Sequence, residues 1–405
     1  MNEKMTSEDP DCVEPSAAAE LVERARALAP LIAAAAPQIE ALRELTPEVV
    51  AALHDAGLFR MLTPHSLGGR EVPPPIYIQA IEEIAKADAS AAWCVAQTSV
   101  ASTLAASLDH GVGWEIFGAD PRAVLAMGPP GAVGKAVATN DGYRITGVWQ
   151  FASGSRHANW LAAHCPVYEP NGTQRLDASG MPVDVTLVFP KSSATMIDVW
   201  HVIGLKGSGS DSYSATDLFV PTRHSMTAFA RNPAERRERG PLYHFTVFQL
   251  FGASFASIAL GIARSTLDAF IELAKKKTPA GAKYVLRDNA VIQSQIGLAQ
   301  SQLTSARVFL HHALADIWQG ALAGNITIEQ RIQLRMASSY ASHQAKQVVD
   351  AAYHAAGATA IFESNPFERR FRDVHTVSQQ VQAHFSVFEA IGQHYLGLPL
   401  HPRLI

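Results

Sequence analysis

Between Gly147 and Trp160 the chain reads GVWQFASGSRHANW. Three bulky rings, Trp149, Phe151 and Trp160, surround the pair Ser153–Gly154. Rings of this size gather where there is surface to cover, either the protein's own core or a flat ligand. Trp149 and Phe151 stand two residues apart, so an extended strand would carry both on one face. Ser153 brings a hydroxyl that both donates and accepts, although Ser-Gly in a strand equally marks a turn or a bulge. Trp93 and Gln97 are four residues apart and share one face of a helix. They could line a pocket, and a core position for Trp93 is the plainer outcome. His375 brings an imidazole, which can donate or accept at a reacting oxygen, and stands two residues from Asp373, with which it could simply pair.

Other chemistries find less support. GLKGSGSDS (204–212) is rich in glycine, but its lysine precedes the glycines and no GK[ST] follows, so it is not a P-loop. It also lacks the GxGxxG of a dinucleotide fold, and no GxSxG elbow occurs. His311 and His312 are adjacent on a helix and point in different directions; no HExxH or Cys/His spacing is present, and no metal site is expected. The three cysteines, Cys12, Cys94 and Cys165, suit neither a disulfide framework nor a CxxC site, which fits a reducing, cytoplasmic setting. A formal charge of -4 advertises neither nucleic acid nor an anionic membrane as a partner. The start has no apolar segment behind a basic one, so no signal peptide is expected. No apolar run reaches the ~20 residues of a membrane span.

The elements that must position these groups follow an α, β, α order. Residues 1–16 are acidic and contain proline, and are expected to be disordered. From 17 to 125 apolar residues recur at three and four. Thr46-Pro47-Glu48 reads as a helix start and Gly57 as its stop; two further helices divide near Asp88. From 126 to 235 short β-rich runs alternate with turns. Asn140-Asp141-Gly142 reads as a hairpin turn, and 169–182 as a long hairpin loop. This block is expected to be an antiparallel barrel or sandwich. From 236 to 405 four long helical stretches, the last over 374–397, read as a four-helix bundle.

The order and wording of five segments resemble the acyl-CoA dehydrogenase fold: LHDAGLFRMLTPHSLGG, ADASAAW, DGYRITGVWQFASGSRHANW, VIGLKGSGSDSYSATDLFVP and NPFERRFRDV. The fold so implied is α+β and mostly α, with an N-terminal helical domain, a central antiparallel β domain and a C-terminal four-helix bundle. It hosts two chemistries. The dehydrogenases hold FAD and use a Glu to take the α-proton of an acyl-CoA. The other branch takes a reduced flavin from a separate reductase and activates oxygen. It includes the oxygenase component of p-hydroxyphenylacetate hydroxylase, dibenzothiophene monooxygenase and the amino-sugar nitrososynthases.

Three readings favour the second branch. The dehydrogenase base would fall on Ser364, with Glu363 one residue out of register. The Arg-x-x-Phe-Gly adenine anchor is missing, although Arg287, Gln293 and Gln295 survive as possible partners. FASG, GSGS and RDVHTVSQQVQ are worded like the oxygenases.

The resemblance implies a two-component flavin monooxygenase that uses reduced FMN or FAD and O2, through a C4a-hydroperoxide, on a small aromatic or polycyclic substrate. It implies a separate NAD(P)H:flavin reductase and a homotetramer. It places Ser153 at flavin N5, Phe151 and Trp149 at the ring, and Gly154, Lys206, Ser208, Arg287, Gln295, Ser378 and Gln379 around the cofactor. His375 would serve the peroxide end, and Trp93, Gln97 and Trp160 the substrate. Arg372 and Asp373 are expected to be structural, as a mutual or intersubunit ion pair. Alternatives are an acyl-CoA dehydrogenase with a displaced base, an N-oxygenase of an amine or amino sugar, and a non-catalytic helical assembly protein that kept the fold.

Overall fold

The computed structural model describes residues 15–129, 134–227 and 236–399. Of the start expected to be disordered, residues 1–14 lie outside the described residues. The first helix, α1 (Pro15–Leu42), buries Leu21, Ala25, Ile32, Ala36 and Ile39. Their spacing of three, four and seven makes one stripe, laid against α3 (Pro74–Ala87). Between them α2 (Pro47–Asp55) begins as its sequence requires: the Thr46 hydroxyl accepts from the Val49 amide and Pro47 opens the helix. Gly57, at φ 75°, ends the turn that follows. Asp88 closes α3 and caps α4 (Ala89–Ser102), its carboxylate accepting from the Ala91 amide. A single turn, α5 (His110–Gly113), leads toward the sheet.

Eight strands follow: β1 (Leu125–Met127), β2 (Gly134–Ala138), β3 (Gly142–Ala152), β4 (Trp160–Tyr168), β5 (Asp184–Pro190), β6 (Thr195–Ile197), β7 (Asp211–Pro221) and β8 (Ser225–Thr227). Their order is β6-β7-β3-β2-β4-β5-β8, with β1 beside β4. The Asn140–Gly142 turn joins β2 to β3 as a hairpin, and the Thr139 amide donates to the Gly142 carbonyl. Most pairings are antiparallel, as expected of this block, and the exceptions are β1 and β2, which both run parallel to β4. The chain leaves β3 through residues 153–159 and crosses to the far side of β2, and such a crossover sets β4 parallel to it.

The helical end contains α6 (Val247–Ala274), α7 (Ala290–Leu322), α8 (Ile328–Ala356), α9 (Phe367–Val377) and α10 (Ser386–Tyr395). By length and composition α6 could cross a membrane, contrary to the expectation that no run would suffice. It is instead a core helix, with 83% of its most apolar window buried inside the protein. Its small residues let backbones approach: a Cβ on Gly261 would meet the Glu82 carbonyl and the Ala85 Cβ of α3 at 2.7 Å. Buried Glu82 accepts two bonds from Arg307 Nε, each 2.9 Å, and faces His311, which ties α3 to α7 and gives that histidine a structural task.

The predicted last helix, 374–397, is broken in two. α9 stops at Val377, and residues 378–385 turn before α10 begins. Ser339 and His343 of α8 bond to the carbonyls of Gln382 and Ala383, and the Gln380 side chain accepts from the Gln382 amide. These bonds replace the helical ladder, so the backbone can leave the helix without orphaned polar groups.

Candidate active site

A cavity of about 360 Å³ lies among α4, the ends of β1 and β3, the 200–210 segment, α6 and the break after α9. That is within the ~300–1,000 Å³ usual for small-molecule sites. One wall is a slab of parallel rings. Trp93 of α4 stacks on Phe255 of α6, with centroids 4.2 Å apart and planes 9° apart, and Phe255 stacks on Phe251 at 5.4 Å. The opposite rim carries Phe151 and Trp200, edge to face at 6.2 Å. The floor of the break supplies amides, from Gln379, Gln380 and Gln382, and α4 supplies Gln97.

Ser153 stands at the edge of this cavity, and two further hydroxyls run behind it in a bonded series. Trp93 Nε1 donates to Ser153 Oγ at 3.0 Å, Ser153 Oγ lies 2.7 Å from Ser210 Oγ, and Ser210 Oγ lies 2.8 Å from Ser208 Oγ. All three serines are buried. An indole N–H can only donate, so the Ser153 oxygen is the acceptor in that bond. When Ser210 also donates to it, the Ser153 proton turns into the cavity. The series Ser208, Ser210, Ser153 then delivers one directed O–H to whatever occupies the site, and each bond polarises the next.

Phe151 reaches the cavity by a route that strand alternation does not describe. The pairing of β3 with β7 slips between Trp149 and Ala152, and within that bulge Phe151 takes φ 57°. The extra residue reverses the alternation, so Phe151 is 53% exposed at the cavity rim while Trp149 is 2% exposed on the other side. Trp149 stacks on Tyr213 and donates to the His164 carbonyl. The expectation that both rings share one face, with Trp149 at a cofactor, therefore gives way to a core position for Trp149. Trp160 is likewise outside the cavity, stacked on His224. Gly128, beside the bulge, has room only for hydrogen: a Cβ there would lie 1.9 Å from the Gln150 carbonyl.

Among the residues singled out from sequence, Trp93, Gln97, Phe151, Ser153 and Gln379 come together around the cavity. Gly154 and Ser208 lie one step behind, joined by the Gly154 amide to the Ser208 carbonyl. His375 does not face the cavity. Its Nε2 lies 2.8 Å from Asp350 of α8 and its ring packs on Phe371, because its place on α9 directs it toward the neighbouring helix. Ser378 donates to the His375 carbonyl and is spent on the helix end. Lys206 turns away to Glu40 of α1. Arg287 and Gln295 are exposed near the start of α7 and do not line the cavity.

Arg372 and Asp373 are structural but not mutually paired. Arg372 bridges Glu40 and Glu368. Asp373 is buried, and its carboxylate accepts from the Leu205 amide at 2.7 Å. That bond holds Leu205, a cavity residue, at φ 53°. Burial, and then the nearby charge of Asp88, push the Asp373 carboxyl from its ordinary 3.8 up to about 7. The native protein therefore holds this proton more tightly than the unfolded chain, and stability falls as pH rises from about 4 to about 7. Asp373→Asn keeps an oxygen that can accept from Leu205 and removes the buried charge. We expect its melting temperature at pH 8 to exceed the wild type's by a few degrees, with a flatter dependence between pH 4 and 8, measurable by scanning calorimetry.

Sequence reading missed Trp200, Leu205, Ser210, Phe251, Phe255 and Gln382. Phe248, Phe251 and Phe255 recur at three and four on α6, a pattern indistinguishable from core. Ser210 stood in plain view within GSGS. Gln382 required the break after α9, which helical periodicity across 374–397 conceals.

Two regions match the acyl-CoA dehydrogenase family: residues 17–109 its N-terminal domain and 253–385 its C-terminal domain. Indole-3-acetate monooxygenase of Pseudomonas putida is 27% identical over 333 residues, 82% of each chain. The oxygenase component of the FADH(2)-dependent resorcinol hydroxylase of Rhizobium sp. is 27% identical over 337 residues, 79% of this chain and 80% of that one. The crystal structure of the HsaA monooxygenase from M. tuberculosis superposes with a TM-score of 0.87 at 25% identity, covering 96% of this chain and all of the other. The chain belongs to the acyl-CoA dehydrogenase family. Within that family it is a flavin-dependent monooxygenase.

Proposed function

We propose that this protein is the oxygenase component of a two-component system. It receives reduced FMN or FAD from a separate NAD(P)H:flavin reductase and places one atom of O2 into a small organic substrate. The observation that carries this reading is a cavity with aromatic walls and an inward hydroxyl that, among the described residues, has no carboxylate facing it. A bound reduced flavin supplies two electrons, so that one oxygen atom enters the substrate and the other leaves as water.

The residues fit such a ring. Phe151 and Trp200 offer faces and edges to a flat tricycle, and Ser153 offers a fixed donor to a ring nitrogen. The Trp93–Phe255–Phe251 slab offers a dry surface to the substrate, and apolar walls exclude the water that would divert reduced oxygen to hydrogen peroxide. His375, expected at the peroxide end, is assigned no part in this reading because it serves Asp350. The reading is tested by mixing the protein, reduced flavin and O2 with a panel of aromatic compounds. An oxygenated product with less than stoichiometric hydrogen peroxide is expected; no product from any compound would count against it.

The dehydrogenase alternative needs a carboxylate at the substrate. Glu363 lies instead in a separate groove with Glu40, Glu368 and Arg372. Trp200, Leu205 and Thr376 face the cavity, while their neighbours His201, Lys206 and Arg372 face that groove. Glu363→Gln is therefore expected to leave oxygenation within about twofold of wild type, in keeping with a surface change. Acyl-CoA is expected not to bleach bound flavin in either protein.

The same reading includes a helical unit over 17–125, a β unit over 126–235 and a bundle over 236–405. It includes a homotetramer and a cytoplasmic location as well. The exposed apolar side chains Leu298 and Val308 on α7 and Phe385 before α10 support contact between copies, which light scattering would measure.

A further inference from the structure

The proposed oxygenase site has an uneven chemistry. Among the described residues, no Asp, Glu, His, Lys, Arg, Tyr or Cys side chain faces the cavity. Nearby charges face elsewhere: Asp373 onto the Leu205 amide, Arg372 onto Glu40, His375 onto Asp350, and Arg331 and Arg335 into a small separate pocket that shares Phe248 and Gln382 with the cavity. The cavity's polarity comes from neutral groups, hydroxyls on one side and carboxamides on the other. Three of these amides are not used by the protein, that of Gln379, which is exposed, and those of Gln97 and Gln382, which are more enclosed. The side chains of Gln97 and Gln382 have no hydrogen-bond partner among the described residues, and Gln382 is only 9% exposed. An unpartnered amide that deep awaits a ligand or an ordered water.

We infer that the cavity selects a neutral, planar aromatic substrate bearing one hydrogen-bonding edge, which Gln97 and Gln382 read, and that it rejects aromatic acids. This inference rests on the oxygenase reading and specifies the substrate class of that site. Two physical arguments support it. A carboxylate brought here loses its water and meets no cation in the cavity lining, Arg331 and Arg335 standing in the adjoining pocket across Gln382, and an unpaired buried charge is far more costly than an unpaired buried amide. An amide or indole N–H meets partners of its own kind. Nor does any facing side chain take a proton from the ring. A substrate of this site must therefore be electron-rich enough to accept oxygen while neutral, as an indole is and as a phenol that needs deprotonation is not.

The test uses a matched pair that differs in charge and hardly in shape. Indole-3-acetamide and indole-3-acetate are titrated by calorimetry, without oxygen, into the full-length protein saturated with reduced FMN, with indole as the reference. The amide is expected to bind roughly a hundredfold more tightly than the acid, about 2.7 kcal/mol at tenfold per 1.4. Gln382→Leu and Gln97→Leu are each expected to weaken the amide at least fivefold, and indole, whose single N–H the same side chains read, by less. Acid binding equal to or tighter than amide binding overturns the inference, and so does failure of both indole and the amide to bind. Reduced FMN is titrated separately beforehand. Reduced FAD is titrated in the same way; failure of both flavins removes the oxygenase reading, whereas flavin binding followed by preference for the acid removes only the substrate class.

Discussion

Ser153→Ala is expected to separate oxygen consumption from oxygenation. The variant loses the O–H that the serine series directs into the cavity from Ser153, and it leaves the indole N–H of Trp93, 3.0 Å from the missing oxygen, without a partner. Removing one preorganised donor from a reacting centre typically lowers the productive rate by ~10²–10³. The orphaned indole N–H adds a stability cost of ~1–3 kcal/mol. Product per reduced flavin should fall at least tenfold while hydrogen peroxide rises to match, as read by product chromatography against a peroxide assay. Ser210→Ala should show the same shift more weakly, because Ser153 keeps its place but loses the neighbour that orients its proton. Unchanged coupling in Ser153→Ala would remove this serine from the reaction.

Gly128→Ala is expected to cost the site its shape. The added methyl would stand 1.9 Å from the Gln150 carbonyl, so the β3 bulge must move. The neighbour is backbone, held between Trp149 and Ala152, which pair with Tyr213 and Asp211 of β7, so it cannot rotate away as a side chain would. Overpacking of this kind costs ~1–3 kcal/mol. The displacement falls on Phe151, already in the left-handed region, where a non-glycine residue has little freedom to adjust. Affinity for reduced flavin should drop at least tenfold, measured by anaerobic titration, with a lower melting temperature. Retained affinity would mean that the bulge is not what presents Phe151.

These two variants mark the limits of sequence reading. Ser153 was legible because FASG and GSGS carry the family's wording, and Trp93 with Gln97 because helix geometry fixes which residues share a face. The same reasoning misplaced Trp149, since alternation assumes a regular strand and a bulge cannot be counted from residue types. Helix starts at Thr46 and Asp88 were readable because capping is local chemistry. The end of α9 was not, since what ends it is Ser339 and His343, some forty residues upstream. His375 looked suitable by type and by segment, and only packing could show that it serves Asp350. The fold was therefore readable wherever order and periodicity carry it. The site was readable only where the deciding contact is near in sequence.

The ion cluster of Glu40, Lys206 and Arg372 has a consequence for how the cavity comes into being. It clamps together α1, the segment carrying Leu205, and α9, and a Cβ on Gly204 would lie 2.2 Å from the Arg372 carbonyl, so the contact is backbone to backbone. No one region owns the wall. During synthesis the piece bearing Gln379 to Gln382 emerges after the cavity's other walls, and until it docks the cavity lacks a side. A nascent chain therefore has no closed chamber in which to retain a reduced flavin. Capture of that oxygen-reactive molecule waits for a finished protein, and unfinished copies are kept from becoming small generators of peroxide.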